Sequence, residues 1–421
     1  MSKKVLFLVY DLDSASGICV QKVASELYHR NMEVFILTKS SEIRQPYDAP
    51  YGAKVYSVLS DTLDRWKEQL EGKDSGISRV MSKLVTLAIR ARVVLCYPVW
   101  PLNSFSFSRR FAAAAKKIAQ EKNIHAVIPV YNTIDALIAA DALKKENVHI
   151  KNIPYLLDAF YGGQTPKLMS EKKKRKKALW WEKKLFHHAD GVVMMRSAQN
   201  SYGQDGIAPA HLEKTVFLDI PMLCLDSKIH EVKSTGQGNG VFLFAGSMPR
   251  NIREPKALLN IFQAVEEPGW QLHLAGNSDF EDMIADAART DPRIHRLGRI
   301  PYAEAQRRME QAQFLVNIGN TLSYMVPSKI FEYMSFNKPI ISTYKISDDP
   351  CLPYLRLYGK ACLLDEREDP RKNAAILREF VQKMEMDVRQ GSSVSELAQP
   401  GMPLYENTPA AFADFLIKIM A

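Results

Sequence analysis

The chain has 421 residues, 46% of them hydrophobic and 24% charged. That length exceeds what one hydrophobic core usually serves, so two ordered globular domains are expected and a largely disordered chain is excluded. Lys and Arg, 56 together, outnumber Asp and Glu, 47, for a formal net charge of +9, which favours an anionic partner without choosing among nucleotide, nucleic acid and lipid headgroup.

The cysteines, Cys19, Cys96, Cys224, Cys351 and Cys362, are scattered, and none are paired at the two-residue separation of zinc or redox sites. A reducing compartment fits that usage. Met1–Lys4 runs directly into apolar Val5–Tyr10, which is too short for a signal-peptide core, so a cytoplasmic chain is expected. The longest uncharged run, Val93–Ser108, carries Pro98 and Pro101 and falls short of the ~20 apolar residues a membrane-spanning helix needs.

In chain order, Lys3–Tyr10 reads as a buried strand. A loop with Gly17 follows, then a helix with Val20, Val23, Ala24 and Leu27 on one face, then a strand at Glu33–Leu37. Further strands are expected at Ala126–Val130, Ile153–Leu157 and Gly191–Met195, separated by helical stretches. The first half is therefore an open, doubly wound α/β sheet. Lys233–Gly240 is rich in Gly and small polar residues and reads as a linker. The alternation then restarts, with strands at Val241–Ala245, Trp270–Leu274, Phe314–Ile318 and Ile340–Thr343. Two such sheets imply a cleft at the carboxyl ends of the strands, where a ligand is expected.

The densest segment is Asn317–Ile341. It reads as strand, loop, helix, turn and strand, with Ser328 as helix N-cap, Asn337 in the left-handed position after the helix and Pro339 as a stop. Free N–H groups at that helix start suit a diphosphate, and Lys329 adds a point charge. Glu332, one turn inside, is placed to accept the hydroxyls of a ribose. The plainer alternative is a capped helix in which Glu332 pairs with Lys329.

This segment resembles the donor-binding signature of GT-B glycosyltransferases, in particular glycosyltransferase family four (group 1) of bacterial polysaccharide synthesis. Two glutamates eight positions apart mark that family; Glu332 matches the second, the ribose-binding one, whereas the first position is Tyr324 here. Upstream, Gly246 and Ser247 end the first strand of the second half, and Arg250 and Lys256 have the spacing of the family's diphosphate-binding cations, with Arg253 as a competitor. Such cations are needed because departure of a nucleoside diphosphate builds negative charge on its phosphates. Gly276, ending the strand in Leu274-Ala275-Gly276-Asn277, belongs beside the donor, and Arg299 and Ile300 fall where the family holds the nucleotide base.

The resemblance implies a GT-B architecture of two Rossmann-like domains facing a cleft: an acceptor-binding domain over residues 1–232, a nucleotide-sugar domain over 233–403, and a last helix within 404–421 returning to the first domain. It implies transfer of a sugar, from a UDP-sugar by preference, to a saccharide or lipid-linked acceptor, with retention of configuration and with neither metal nor cofactor. If the reaction instead inverts, Asp158 is the best-placed general base, with Asp11 and Asp13 as alternatives. Asp11-Leu12-Asp13 is the sole Asp-x-Asp considered as a metal motif, and its place in the acceptor half discounts it. A nucleotide-sugar epimerase of the same fold, and a non-catalytic lipid- or nucleic-acid-binding relative, are the rival readings.

Two stretches suit a membrane surface. Lys172–Phe186 joins many cations to paired tryptophans, and Ser78–Phe107 mixes Arg and Lys with apolar residues, which fits either an inner-leaflet surface or a buried helical hairpin. No recognised nucleic-acid module surrounds the basic run, so nucleic acid is not the expected partner.

Overall fold

A computed structural model describes residues 2–70, 75–157, 161, 166, 169–196, 199, 210–224, 240–250, 252–322, 326–386 and 397–420. The chain divides into two compact units, Met1–Pro221 with Pro409–Ala421, and Met222–Thr408. The expected boundaries are 232/233 and 403/404, against divisions at 221/222 and 408/409. The expected linker residues 233–239 lie outside the described residues.

The first unit is built on a six-stranded sheet in the order β3-β4-β2-β1-β5-β6, from β1 (Lys4–Leu8), β2 (Glu33–Ser40), β3 (Tyr47–Asp48), β4 (Ala53–Leu59), β5 (Ala126–Pro129) and β6 (Lys151–Asn152). All pairs are parallel except β3 with β4. Val5 to Val9 are fully buried, because helices cover both faces: α1 (Ala15–His29) and the last helix on one, α4 (Phe105–Lys122) and α5 (Ile134–Glu146) on the other. A parallel three-stranded sheet follows, of β7 (Tyr155–Leu156), β8 (Val192–Met195) and β9 (Thr215–Leu218). The single strand expected at Ile153–Leu157 is thus divided. Ile153 still donates to Val127 of the first sheet, whereas Pro154, with no N–H, offers only its carbonyl, to Val193 of the second.

This unit also holds helices α2 (Thr62–Leu70), α3 (Gly76–Leu95) and α6 (Glu171–Phe186). The C-terminal helix Pro409–Met420 lies against α1. Phe412 stacks on Tyr155 at 4.3 Å between ring centroids, Leu416 is fully buried, and Asp414 pairs with Arg30.

The second unit is a six-stranded parallel sheet in the order β12-β11-β10-β13-β14-β15. Its strands are β10 (Gly240–Ala245), β11 (Trp270–Ala275), β12 (Ile294–Gly298), β13 (Phe314–Ile318), β14 (Ile340–Tyr344) and β15 (Ala361–Asp365). Helices in this unit include, in chain order, α7 (Lys256–Ala264), α8 (Glu281–Thr290), α9 (Tyr302–Gln311), α10 (Lys329–Ser335), α11 (Leu352–Tyr358) and α12 (Pro370–Met386), and Pro409–Met420 is numbered α13. This is the doubly wound order, with the chain reversing direction across the sheet between β10 and β13. Lys338 is buried, and its ammonium donates to the carbonyls of Met309, Glu310 and Ala312 at 2.9, 2.5 and 2.6 Å, closing the carboxyl end of α9.

Gly276, after β11, has φ of 132°, and a Cβ there would sit 1.7 Å from the Gly246 carbonyl oxygen. Gly276→Ala is therefore expected to cost about 4 kcal/mol or more in urea unfolding. Gly359→Ala, at a left-handed helix end with open space around it, is expected to cost about 1–2 kcal/mol.

Candidate functional site

In an open α/β sheet the ligand crevice lies at the carboxyl ends of the strands, where the order reverses. In the second unit that point is β10 beside β13, and the loops leaving the strands are stitched edge to edge. Gly246 donates to Ala275 at 2.9 Å, Gly276 to Gly298 at 2.7 Å, Met248 to Asn277 at 2.8 Å and Gly319 to Thr343 at 2.9 Å. Thr321 donates to Ile252 at 3.0 Å, which joins the loop after β10 to the loop after β13. At Gly319 a Cβ would meet the Thr343 oxygen at 2.6 Å, so the close approach of these backbones requires glycine.

Arg253 lies on this surface. Its Nη1 donates to the Ser247 carbonyl at 3.1 Å, and its Nε is buried without a hydrogen-bond partner. Asp349, from the loop after β14, is buried, and its Oδ1 accepts from the Cys351 N–H at 2.8 Å. Burial pushes the Asp349 carboxyl up, chiefly by desolvation, and draws the Arg253 guanidinium below its ordinary value for the same reason. Arginine still carries its charge, so a cation with unspent donor capacity is held at the switch point.

The second cluster is centred on Glu332, buried in the first turn of α10. Its carboxylate accepts from Lys329 Nζ at 2.5 Å and from the Tyr302 hydroxyl at 2.8 Å. Gln306 Nε2 donates to the Tyr302 oxygen at 3.0 Å, and the Lys329 ammonium lies 5.3 Å from the centre of the Tyr302 ring. Tyr333, next to Glu332, ties α10 to β10, its hydroxyl accepting from the Ala245 N–H at 3.0 Å.

Several expected residues are placed differently. Ser328 has helical dihedrals and makes no side-chain cap bond, so the seven-residue α10 opens without the expected serine cap; Asn337, with φ of 54°, does take the left-handed position. Arg250 points away to α8, its N–H donating to the Asp279 carboxylate at 2.7 Å, its Nη2 to the Asp279 carbonyl at 3.2 Å and its guanidinium lying over Phe280. Arg253, not Arg250, therefore occupies the switch point. Lys256 opens α7, exposed, and lines a pocket of about 270 Å³ with Glu254, Lys345, Glu366 and Asn373, whose walls do not include Gly246, Ser247 or Arg253. Arg299 is exposed and Ile300 half-buried, in the short loop between β12 and Tyr302. Asp158 and Tyr324 lie outside the described residues.

In the first unit, Gly17 is packed so that a Cβ would meet the Asp11 carbonyl at 2.3 Å. Asp11 uses its carboxylate to accept from the Asp13 N–H at 3.0 Å, a loop turn. Sequence reasoning missed Ser14, Ser16 and Asn132, which meet where β1 and β5 part: Asn132 Nδ2 lies 3.1 Å from the Ser16 hydroxyl, and Ser14 Oγ lies 3.0 Å from it. It also missed Asp349, whose signal was an acid just past a buried strand, and the contact of Tyr302 with Glu332. Among the described residues no group of three or more His, Cys, Asp or Glu is arranged to hold a metal ion.

Residues 239–382 match the family model of the glycosyl transferases group 1. Among solved structures, Anabaena HepE in complex with UDP is 13% identical, with a TM-score of 0.59 over 99% of this chain and 100% of that one. WaaG, a glycosyltransferase involved in lipopolysaccharide biosynthesis, is 11% identical, with a TM-score of 0.56 over 98% and 99%. A putative UDP-N-acetylglucosamine 2-epimerase from Listeria monocytogenes is 12% identical, with a TM-score of 0.52 over 99% and 96%. These likenesses are of fold, and the fold is GT-B. No curated protein sequence matches the chain.

The raised folded pKa of Asp349 gives a pH signature. A buried acid that prefers its protonated form adds stability below its unfolded pKa, and that contribution is lost as pH rises through the folded value. Asp349→Asn, which keeps an acceptor for Cys351, is therefore expected to be more stable than wild type at pH 7, and to lose that advantage towards pH 4, in urea unfolding at both pH values.

Proposed function

With a group 1 glycosyltransferase domain as its second unit, we propose that the chain transfers a glycosyl group from a nucleoside-diphosphate sugar, UDP foremost, to a saccharide or lipid-linked saccharide in surface polysaccharide synthesis. The observation that carries this is the pairing, on one sheet edge, of a half-buried arginine whose buried Nε is an unspent donor and a buried carboxylate one helical turn into α10.

The two clusters divide the donor. Glu332 accepts the ribose hydroxyls, which take the places now held by Lys329 and Tyr302. That exchange frees the Lys329 ammonium, and with Arg253 and the N–H groups of the Gly246–Ser247 loop it meets the diphosphate. As the glycosidic bond breaks, negative charge grows on the leaving phosphates; preorganised cations in a partly dehydrated site lower that barrier by several kcal/mol, and no metal ion is assigned the task. Tyr302 and the Arg299–Ile300 backbone flank the base.

Acceptor recognition is assigned to the first unit, where Ser14, Ser16 and Asn132 present hydroxyl and amide groups suited to sugar hydroxyls. The proposed outcome at the anomeric carbon is retention, as the family resemblance implies, so no general base is required. We place the enzyme at the cytoplasmic face of a membrane, where a lipid-linked acceptor is presented. Product formed without any acceptor would instead mark the epimerase reading.

Calorimetric titration with UDP, GDP and ADP tests the donor assignment. UDP is expected to bind with micromolar affinity, and Glu332→Ala and Arg253→Ala each to weaken it about tenfold (~1.4 kcal/mol), with Arg250→Ala within about twofold of wild type. Equal affinity for all three nucleotides, or Glu332→Ala and Arg253→Ala without effect, would overturn it.

A further inference from the structure

Helix α3 spans Gly76–Leu95, and a single one of its residues, Val85, is buried. Apolar side chains at Ile77, Val80, Leu84, Leu87, Ala91 and Val94 recur every three or four positions, the spacing of one continuous face, and all of them are exposed. In a soluble helix such a stripe is ordinarily what the core covers. Here, eight of the nineteen exposed large apolar residues among the described residues sit on this one helix, so the exposure is a concentrated patch rather than ordinary scatter.

The helix is held in that posture. Arg92 reaches back to α2, Nη2 donating to both Asp64 carboxylate oxygens at 3.0 Å and Nη1 to Asp61 at 3.3 Å. Arg110 of α4 fixes the same Asp61 at 3.0 Å. The other charged residues of α3 are Arg79, Lys83 and Arg90, all exposed and, by helical spacing, on one flank of the stripe; the helix has no acidic residue.

Charge selects the occupant. A second copy laid antiparallel on this face would set Arg79, Lys83 and Arg90 beside their own equivalents, at a repulsive cost, and a parallel pairing would meet them with a helix face that has no acidic residue. An anionic bilayer surface satisfies both features, accepting the apolar stripe below the headgroups and the cations among them. No helix among the described residues is long and apolar enough to cross a membrane, so the mode is lying on the surface. We propose that α3 is a membrane-docking helix that lies in the interface of an anionic lipid bilayer.

This moves the docking surface away from Lys172–Phe186. That segment is α6, whose apolar side Ala178, Trp181, Leu185 and Phe186 is buried in its own unit. Several of its cations are engaged: Lys174 donates to the Tyr161 carbonyl, Lys177 to the Pro98 carbonyl, and Lys184 lies over Trp180 and Trp181. The α3 surface agrees with a lipid-linked acceptor but stands on geometry independent of the donor site.

The test is flotation of the full-length protein with vesicles of phosphatidylcholine and of equimolar phosphatidylcholine and phosphatidylglycerol. Wild type is expected to float with the anionic vesicles, Leu84→Asp/Leu87→Asp and Arg79→Glu/Lys83→Glu to lose at least about tenfold in partitioning, and Lys172→Glu/Lys176→Glu to stay within about twofold. Urea unfolding midpoints unchanged in the α3 and α6 variants show that they are folded, and Glu332→Ala, which reads the donor assignment, is expected to float normally. The proposal is overturned if wild type ignores anionic vesicles, if the α3 variants float like wild type, if the α6 pair alone abolishes binding, or if Leu84→Asp/Leu87→Asp changes only the oligomeric state in sedimentation.

Discussion

Gly246 and Gly276 leave no room for a side chain between them, and the second unit's site depends on that approach. With the Gly276 Cα pressed against the Gly246 carbonyl, the loops after β10 and β11 run side by side, and the hydrogen bond from Gly276 to Gly298 adds the loop after β12. On the other side of the switch point Gly319 does the same against Thr343. Backbone packed this tightly brings Ser247 and Arg253 together and leaves the Arg253 Nε buried with no hydrogen-bond partner. Such a group costs stability in the empty protein, and a site that pre-positions charge for a ligand characteristically carries that cost.

The same tension appears at Glu332. Its carboxylate is buried and fully engaged by Lys329 and Tyr302, so it is satisfied at rest. Under the proposed function the ion pair and the ligand-bound arrangement would be two states of one device, the pair keeping the buried charge compensated until hydroxyl groups replace it.

Much of this was legible in the sequence because parallel strands and their exit glycines leave a strong pattern. Runs such as Val5–Val9 and Phe242–Ala245 are apolar because both faces are covered, and Gly246, Gly276 and Glu332 follow from the strand and helix they close. What escaped was anything decided by side-chain direction or by contacts across the fold. Arg250 and Arg253 are indistinguishable as letters, and only the position of Asp279 beside the first separates them. Asp349 is remote in sequence from Arg253, and Asn132 from Ser16, so no local spacing reveals either pair. Ser328 was a plausible cap, but the chain enters α10 already helical. The two basic segments looked alike in composition; burial of one apolar face and exposure of the other is a tertiary outcome that composition does not encode.

The central claim is that Glu332 and Arg253 divide a nucleoside diphosphate between them, and a crystal structure of the protein soaked with UDP tests it most directly. The account predicts ribose hydroxyls within hydrogen-bond distance of Glu332, with Lys329 and Tyr302 displaced from its carboxylate, and the diphosphate against Arg253 and the Gly246–Ser247 loop. Nucleotide bound elsewhere, or bound with Glu332 still held by Lys329 and Tyr302, would contradict it.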